Sequence, residues 1–158
     1  MVLLIISTAL AAFYIVFACV RSGDFPVSLS ATYYNLRNDG WIFEVVMAAV
    51  AITLMPTWID VSSVHTEWMA FIACSGLMFV AAAPSFRIPL VGVVHYSSAI
   101  VCCLLAVLWQ IAEGLWDVTI WFGFLGGMLT LVWRDKWCWW MECAVIGSLL
   151  ANLWRVIL

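Results

Sequence analysis

Charged side chains are scarce in this sequence, which has six lysine and arginine residues together and nine aspartate and glutamate residues. Hydrophobic residues make up 67% of the chain, and its mean hydropathy is +1.13. A domain with so little charge would not stay dissolved in water, so a water-soluble protein is excluded. The net charge of −3 and the lack of a basic patch exclude nucleic acid as a partner. The composition therefore predicts an integral membrane protein whose partners are membrane lipids.

Motifs for metal binding and redox chemistry are also lacking. None of the six cysteines belongs to a Cys-x-x-Cys pair, and all lie in apolar segments, where a thiol serves as a small packing group. A zinc site needs three or four converging donors, and the only histidines are His65 and His95. We therefore expect no cofactor. A metal held by His95 with Glu44 and Glu142 is the arrangement that remains open.

Long apolar segments, by contrast, fill most of the chain. Each is long enough to cross a bilayer as a helix, which takes about 20 residues. The predicted spans are residues 2–20, 41–59, 67–84, 92–113, 115–133 and 137–157. Residues 22–40 are too polar to span and too aromatic for a free linker, so we expect an interfacial loop packed on the bundle. The predicted fold class is all-α, a polytopic membrane protein with a single domain (1–158) formed by a six-transmembrane-helix bundle.

The basic residues of the loops predict the orientation. The loops after spans one, three and five carry Arg21, Arg37, Arg87, Arg134 and Lys136. The loops after spans two and four carry no lysine or arginine. The positive-inside rule places the basic loops in the cytoplasm. Both termini are then expected outside the plasma (inner) membrane of a bacterium, with Arg155 as the one basic residue near the outer face.

Three ionisable side chains within the predicted spans mark a candidate site. Glu44, His95 and Glu142 lie near the span ends that border the basic loops. Burial of such groups in a membrane is costly, so each is a functional candidate. One interpretation is a polar pocket in which these residues, with Arg37 and Arg87, surround an anionic lipid headgroup or a proton-carrying substrate and so bind a lipid or small amphiphile. The other is that the opposite charges only pair with one another and fix the helix register.

A glycine pair in the fifth span suggests close helix packing. Gly123 and Gly127 form a Gly-x-x-x-Gly pattern, which lets two helix backbones approach closely. The partner helix belongs either to the same chain or to a second copy, so a homo-oligomer formed through Gly123 and Gly127 is one expectation.

A short motif after the first span resembles a known group of families. The run Pro26-Val27-Ser28-Leu29-Ser30, an arginine-containing loop before span four and His95 at the start of that span are similar to small six-helix families. These are related to DRAM and to post-GPI-attachment lipid-remodelling proteins, and include uncharacterised bacterial members. The resemblance implies a six-helix bundle connected with lipid handling. It also implies that Ser28, Ser30 and His95 are site residues.

Three classes of function are compatible with these features. The leading expectation is a protein without enzymatic activity that binds a lipid or small amphiphile in a polar pocket at one end of the bundle. The first alternative is a proton-coupled transporter or channel that acts as an oligomer. The second is a membrane-embedded lipid hydrolase or acyltransferase, in which Ser28 or Ser30 approaches His95.

Overall fold

The structure, a computed structural model, describes residues 1–83 and 91–158, without the side chains of Arg37 and Val91. Predictions about Arg87 therefore lie outside the described residues. Within these ranges the chain is helical and contains no strand. The α-helices are α1 (Val2–Ser22), α2 (Ala31–Asn35), α3 (Trp41–Val61), α4 (Glu67–Ala82), α5 (Val91–Ala112), α6 (Trp116–Val132) and α7 (Trp137–Ile157). Single 3₁₀ turns, Arg37–Asp39 and Arg134–Lys136, precede α3 and α7.

Two glycines set the helix ends. α1 ends at Gly23, whose φ of 68° is a left-handed conformation that a residue without a Cβ adopts at little cost. Gly114, with φ 75°, makes the turn between α5 and α6. There the N–H of Leu115 donates to the carbonyl of Gln110 at 2.8 Å, so a carbonyl of the last turn of α5 is satisfied.

The helices differ in length. α1, α3, α5 and α7 are long and apolar enough to cross a membrane. α4 and α6 are equally apolar but have 16 and 17 residues. At about 1.5 Å per residue they are about 24–26 Å long, somewhat less than the roughly 30 Å of a hydrocarbon core. The all-α fold is confirmed, and the length criterion is met by four of the helices rather than six.

Five of the helices form a closed ring. α1 packs on α3, α3 on α4, α4 on α5 and α5 on α7, while α7 also contacts α1 and α3. α6 packs mainly on α7 and more weakly on α5. It therefore lies outside the ring and leaves one of its faces without a partner among the described residues.

Close packing of α6 on α7 depends on glycine, but not on the predicted pair. A Cβ added to Gly126 would lie 2.9 Å from the Cβ of Ala144, and one added to Gly147 would lie 2.5 Å from the ring of Phe122. A Cβ on Gly123 or Gly127 would meet nothing within 4 Å. Gly126 and Gly147 are thus the glycines that let these two helices approach, while Gly123 and Gly127 lie on the free side of α6.

A buried amide network fixes three helices at one end of the bundle. The side-chain carbonyl of Gln110 accepts from the hydroxyl of Thr119 at 2.9 Å and from the amide of Asn152 at 2.8 Å. Asn152 also donates to the carbonyl of Leu115 at 3.0 Å. Gln110 and Asn152 are fully buried, and these bonds replace part of the water that their amides would lose, while the side-chain oxygen of Asn152 has no partner among the described residues. The network ties α5, α6 and α7 together.

Glu113 fixes the turn between α3 and α4 at the same end. Its carboxylate accepts from the N–H of Ser63 at 3.0 Å, from the Ser63 hydroxyl at 2.9 Å, and from the hydroxyl of Thr66. Partial burial raises the pKa of this carboxyl, but the hydrogen bonds lower it by more, so the net pKa lies below its ordinary value. The ionised carboxylate of Glu113 therefore fixes the turn formed by residues 62–66.

Candidate functional site

A cavity of about 100 Å³ lies inside the ring. All five ring helices contribute to its wall, together with Leu29 and Ser30 from the connection between α1 and α3. Phe43 and Trp58, near the two ends of α3, both line it. They are separated by fifteen residues, which corresponds to about 22 Å of helix. The cavity is therefore long and narrow, with its axis along the helices.

The wall is apolar along most of its length. It is formed largely by alanine, valine, leucine, isoleucine and methionine side chains, with Cys74, Cys102 and Cys103. Oxygen atoms and imidazole nitrogens are contributed only by Tyr14, Ser30, His95 and Glu142. The far end contains Trp58, whose ring packs edge-on against the buried Trp109 with centroids 5.5 Å apart. The cavity is thus polar at one end and closed by aromatic rings at the other.

Glu142 lies on α7 at the polar end. Its carboxylate accepts a hydrogen bond from the backbone N–H of Leu29 at 2.7 Å and is also hydrogen-bonded to the Cys138 thiol one turn earlier. Both partners are neutral. Among residues 1–83 and 91–158, the ion pairs found do not include Glu142.

His95 lies on the second turn of α5 and is half-buried. Its imidazole hydrogen-bonds to the backbone of Val80 on α4, and its ring packs edge-on against Tyr96 with centroids 5.8 Å apart. In the described part of the chain no hydrogen bond or ion pair joins His95 to Glu142. Each side chain therefore faces the same cavity with its own backbone partner.

Residues 23–40, the connection between α1 and α3, cover the polar end. The N–H of Trp139 donates to the carbonyl of Val27 at 3.1 Å. Tyr14 donates to the hydroxyl of Thr32, because the single proton of that hydroxyl is already given to the carbonyl of Leu29. With the bond from Leu29 to Glu142, these contacts fix the segment to both α1 and α7.

Aromatic and ionic contacts hold the margins of the same segment. Phe25 packs against Trp133 and Trp140, with ring centroids 5.7 and 4.7 Å away. Asp24 lies 3.5 Å from the amine of Lys136, and Asp39 pairs with Arg21. The segment is thus packed on the bundle over its whole length.

The two motif serines have different positions. Ser30 lines the cavity, whereas Ser28 does not. The Ser28 hydroxyl accepts from the N–H of Ala31 at 3.0 Å and lies 3.2 Å from the Ser30 hydroxyl. Ser28 thus stabilises the turn into α2, and of the two it is Ser30 that faces the site.

The remaining predicted site residues are not brought to the cavity by the described structure. Glu44 follows Phe43 on α3 and does not line the cavity, although Phe43 and Met47 do. Arg37 lies in the 3₁₀ turn before α3, and its side chain is not described. The cavity is therefore lined by Ser30, His95 and Glu142, whereas Glu44 and Ser28 do not line it.

Two contributors to the site were not predicted from sequence. Tyr14 stood out only as a polar residue in the middle of the first apolar segment. Leu29 acts through its backbone N–H, for which no sequence signal exists. Within residues 1–83 and 91–158, no group of three or more histidine, cysteine, aspartate or glutamate side chains is placed to hold a metal ion.

Comparison of the chain with protein-family models, with curated proteins and with solved structures finds no match. The resemblance to lipid-remodelling families therefore stays a prediction carried by the serine motif and His95.

Proposed function

We propose that this chain is an integral membrane protein with six spans that binds a lipid or small amphiphile in the cavity of its helix ring. The observation that carries the proposal is the shape and polarity of the cavity. An apolar cavity that is lined by Ser30, His95 and Glu142 suits a small amphiphile with a polar group at one end.

The outer surface of the bundle supports a membrane location. On α6 the side chains of Trp121 and Leu131 are each 71% exposed, and Ile120 and Phe124 are exposed beside them. An apolar face of this kind is unfavourable in water and is satisfied by lipid. In this proposal α4 and α6 also cross the bilayer, because local thinning of the bilayer accommodates a short span at modest cost.

The closed far end supports binding rather than a continuous pore. Trp58 and Trp109 are buried there, and the indole of Trp109 donates to the hydroxyl of Ser62 at 2.8 Å. Together they separate the cavity from the 62–66 turn. An occupant then enters from the polar end or laterally, between helices.

An adjacent pair of alanines offers a test of occupancy. Ala11 lines the cavity, whereas its neighbour Ala12 is exposed on the outside of α1. We expect Ala11→Leu to fill part of the cavity and reduce the lipid retained by the protein, and Ala12→Leu to retain the wild-type amount. Native mass spectrometry from mild detergent measures bound lipid and oligomeric state together. Equal retention by both variants, with both monodisperse, would remove the cavity as the binding site.

The orientation and assembly complete the proposal. Arg21, Arg134 and Lys136 lie at the ends of α1 and α6 and the start of α7, on the side predicted to be cytoplasmic. Gly123 and Gly127 lie on the free side of α6, where a second copy could pack closely. The homo-oligomer predicted through these glycines is tested by the same mass spectrum.

A second candidate function is lipid hydrolysis or acyl transfer, and the specific observation in its favour is that Ser30 and His95 line the same cavity. A serine nucleophile needs a base within hydrogen-bonding reach. His95→Ala and Ser30→Ala should then abolish turnover of a lipid ester while binding persists, with Ser28→Ala as the control outside the cavity. Turnover that survives in both cavity variants would exclude this function.

A further inference from the structure

Glu142 is a carboxylate inside the bundle, and it forms no ion pair with the basic side chains that the structure describes. The described cations have other partners or positions: Arg21 pairs with Asp39, Lys136 with Asp24 and Asp135, and Arg155 with Asp117. Arg134 is exposed in the turn before α7. The charge of Glu142 is therefore not neutralised by these side chains.

The groups around this carboxylate are neutral and leave part of it free. Its surroundings are the thiols of Cys103, Cys138 and Cys143 and the N–H of Leu29. An ionised carboxylate has about four acceptor positions on its two oxygens, and the N–H and one thiol fill only two. Glu142 is one of the residues that line the cavity.

An unpaired carboxylate in an apolar setting is costly, and the cost falls when a cation or a proton meets it. In the site proposed above, the group that reaches it is the head of the bound amphiphile. A carboxylate or phosphate head would bring two negative charges together there. An ammonium would form a charge-assisted hydrogen bond.

We infer that the occupant is a small single-chain amphiphile with a cationic, hydrogen-bond-donating headgroup, a short-chain amine or amino alcohol, whose ammonium pairs with Glu142. The cavity volume of about 100 Å³ suits one short hydrocarbon chain. Ser30 and His95 face the same end and can bond a hydroxyl next to the amine. This inference rests on the proposed function and narrows it to one class of ligand.

The experiment compares three probes with the same short hydrocarbon chain and different heads: butylamine, butanol and butanoic acid. The full-length protein, in phosphatidylcholine nanodiscs, is offered equal amounts of the three, and bound ligand is counted by native mass spectrometry. Empty nanodiscs correct for partitioning into lipid. We expect the wild type to hold the amine at least about tenfold more than the acid, the factor that one charge-assisted hydrogen bond supplies.

Matched variants assign the preference to one residue. Glu142→Gln keeps the shape and an acceptor for the Leu29 N–H but removes the charge, and should reduce the preference to that of empty nanodiscs. Glu142→Asp should restore part of it. Glu67→Gln, at an exposed carboxylate of the opposite end, should behave as the wild type. Size-exclusion profiles and helical circular dichroism establish that each variant is folded.

The possible failures are distinguishable. If the three probes bind the wild type equally, or if Glu142→Gln keeps the preference for the amine, the inference is wrong and lipid binding in the cavity stands. If the wild type retains none of the probes, the proposed function fails and the inference fails with it.

Discussion

Replacing Gly126 by alanine should destabilise the packing of α6 on α7. The new methyl carbon would lie 2.9 Å from the Cβ of Ala144 and 3.2 Å from the carbonyl oxygen of Trp140. Both contacts are with rigid parts of the neighbouring helix, so the helices must separate. Overpacking of this kind typically costs about 1–3 kcal/mol.

The control lies one residue away. Gly127→Ala adds the same methyl group to the same helix, but nothing lies within 4 Å of it, and the same holds for Gly123→Ala. Any gain in helix propensity, up to about 1 kcal/mol in water, is common to all three variants and cancels in the comparison. The expected difference in free energy of unfolding between Gly126→Ala and Gly127→Ala is therefore about 1–3 kcal/mol.

Unfolding in mixed micelles of a mild detergent and dodecyl sulfate, followed by tryptophan fluorescence, measures this difference. Equal stabilities for Gly126→Ala and Gly127→Ala would refute the packing of α6 on α7 described here. Destabilisation by Gly123→Ala and Gly127→Ala that depends on protein concentration would instead reveal the homo-oligomer predicted from the glycine pair.

Three further predictions concern other parts of the chain. Hydrogen bonds hold the pKa of Glu113 in the folded protein below its value in the unfolded chain. They therefore stabilise the protein at pH values above the pKa of the unfolded state, and this contribution is lost as the pH falls through the pKa of the folded state. Melting curves should therefore show the wild type more stable than Glu113→Gln by about 0.5–1 kcal/mol at neutral pH, because water competes for this largely exposed carboxylate, and the gap closing in acid; a gap independent of pH would contradict this assignment. Asn152→Leu should leave the side chain of Gln110 short of a donor and cost about 0.6–1.7 kcal/mol in the same unfolding assay, and an unchanged stability would show that the network is not needed. A reporter fused to the C-terminus should read as external to the cytoplasm, and a cytoplasmic signal would reverse the proposed orientation.

The helix boundaries could be predicted from the sequence because polar and glycine-containing runs interrupt the apolar segments. Each long helix begins and ends within two residues of a predicted span end. The shared position of His95 and Glu142 followed from the same reasoning, since each lies a short distance after the start of its segment. Chain direction alone then puts both at one end of the bundle.

The rotation and order of the helices could not be predicted. α3 is apolar on all sides, so no stripe indicates that Phe43 and Met47 face the cavity while Glu44 does not. The bond between Gln110 and Asn152 joins residues 42 positions apart. The Gly-x-x-x-Gly pattern also does not reveal that Gly126, and not Gly123 or Gly127, contacts α7, because glycine spacing does not show which side of a helix faces its neighbour.

Because α6 lies outside the ring, the helices before and after it, α5 and α7, can be neighbours in the ring and run in the same direction. α5 and α7 are neighbours. Gln110 of α5 meets Asn152 of α7 at one end of the bundle, and His95 and Glu142, near the starts of the same two helices, line the cavity towards the other end. The two helices are therefore parallel, which requires an intervening segment to carry the chain back. α6 is that return connection. Its passage along the outside allows polar residues from the second turns of two separate helices to line one cavity.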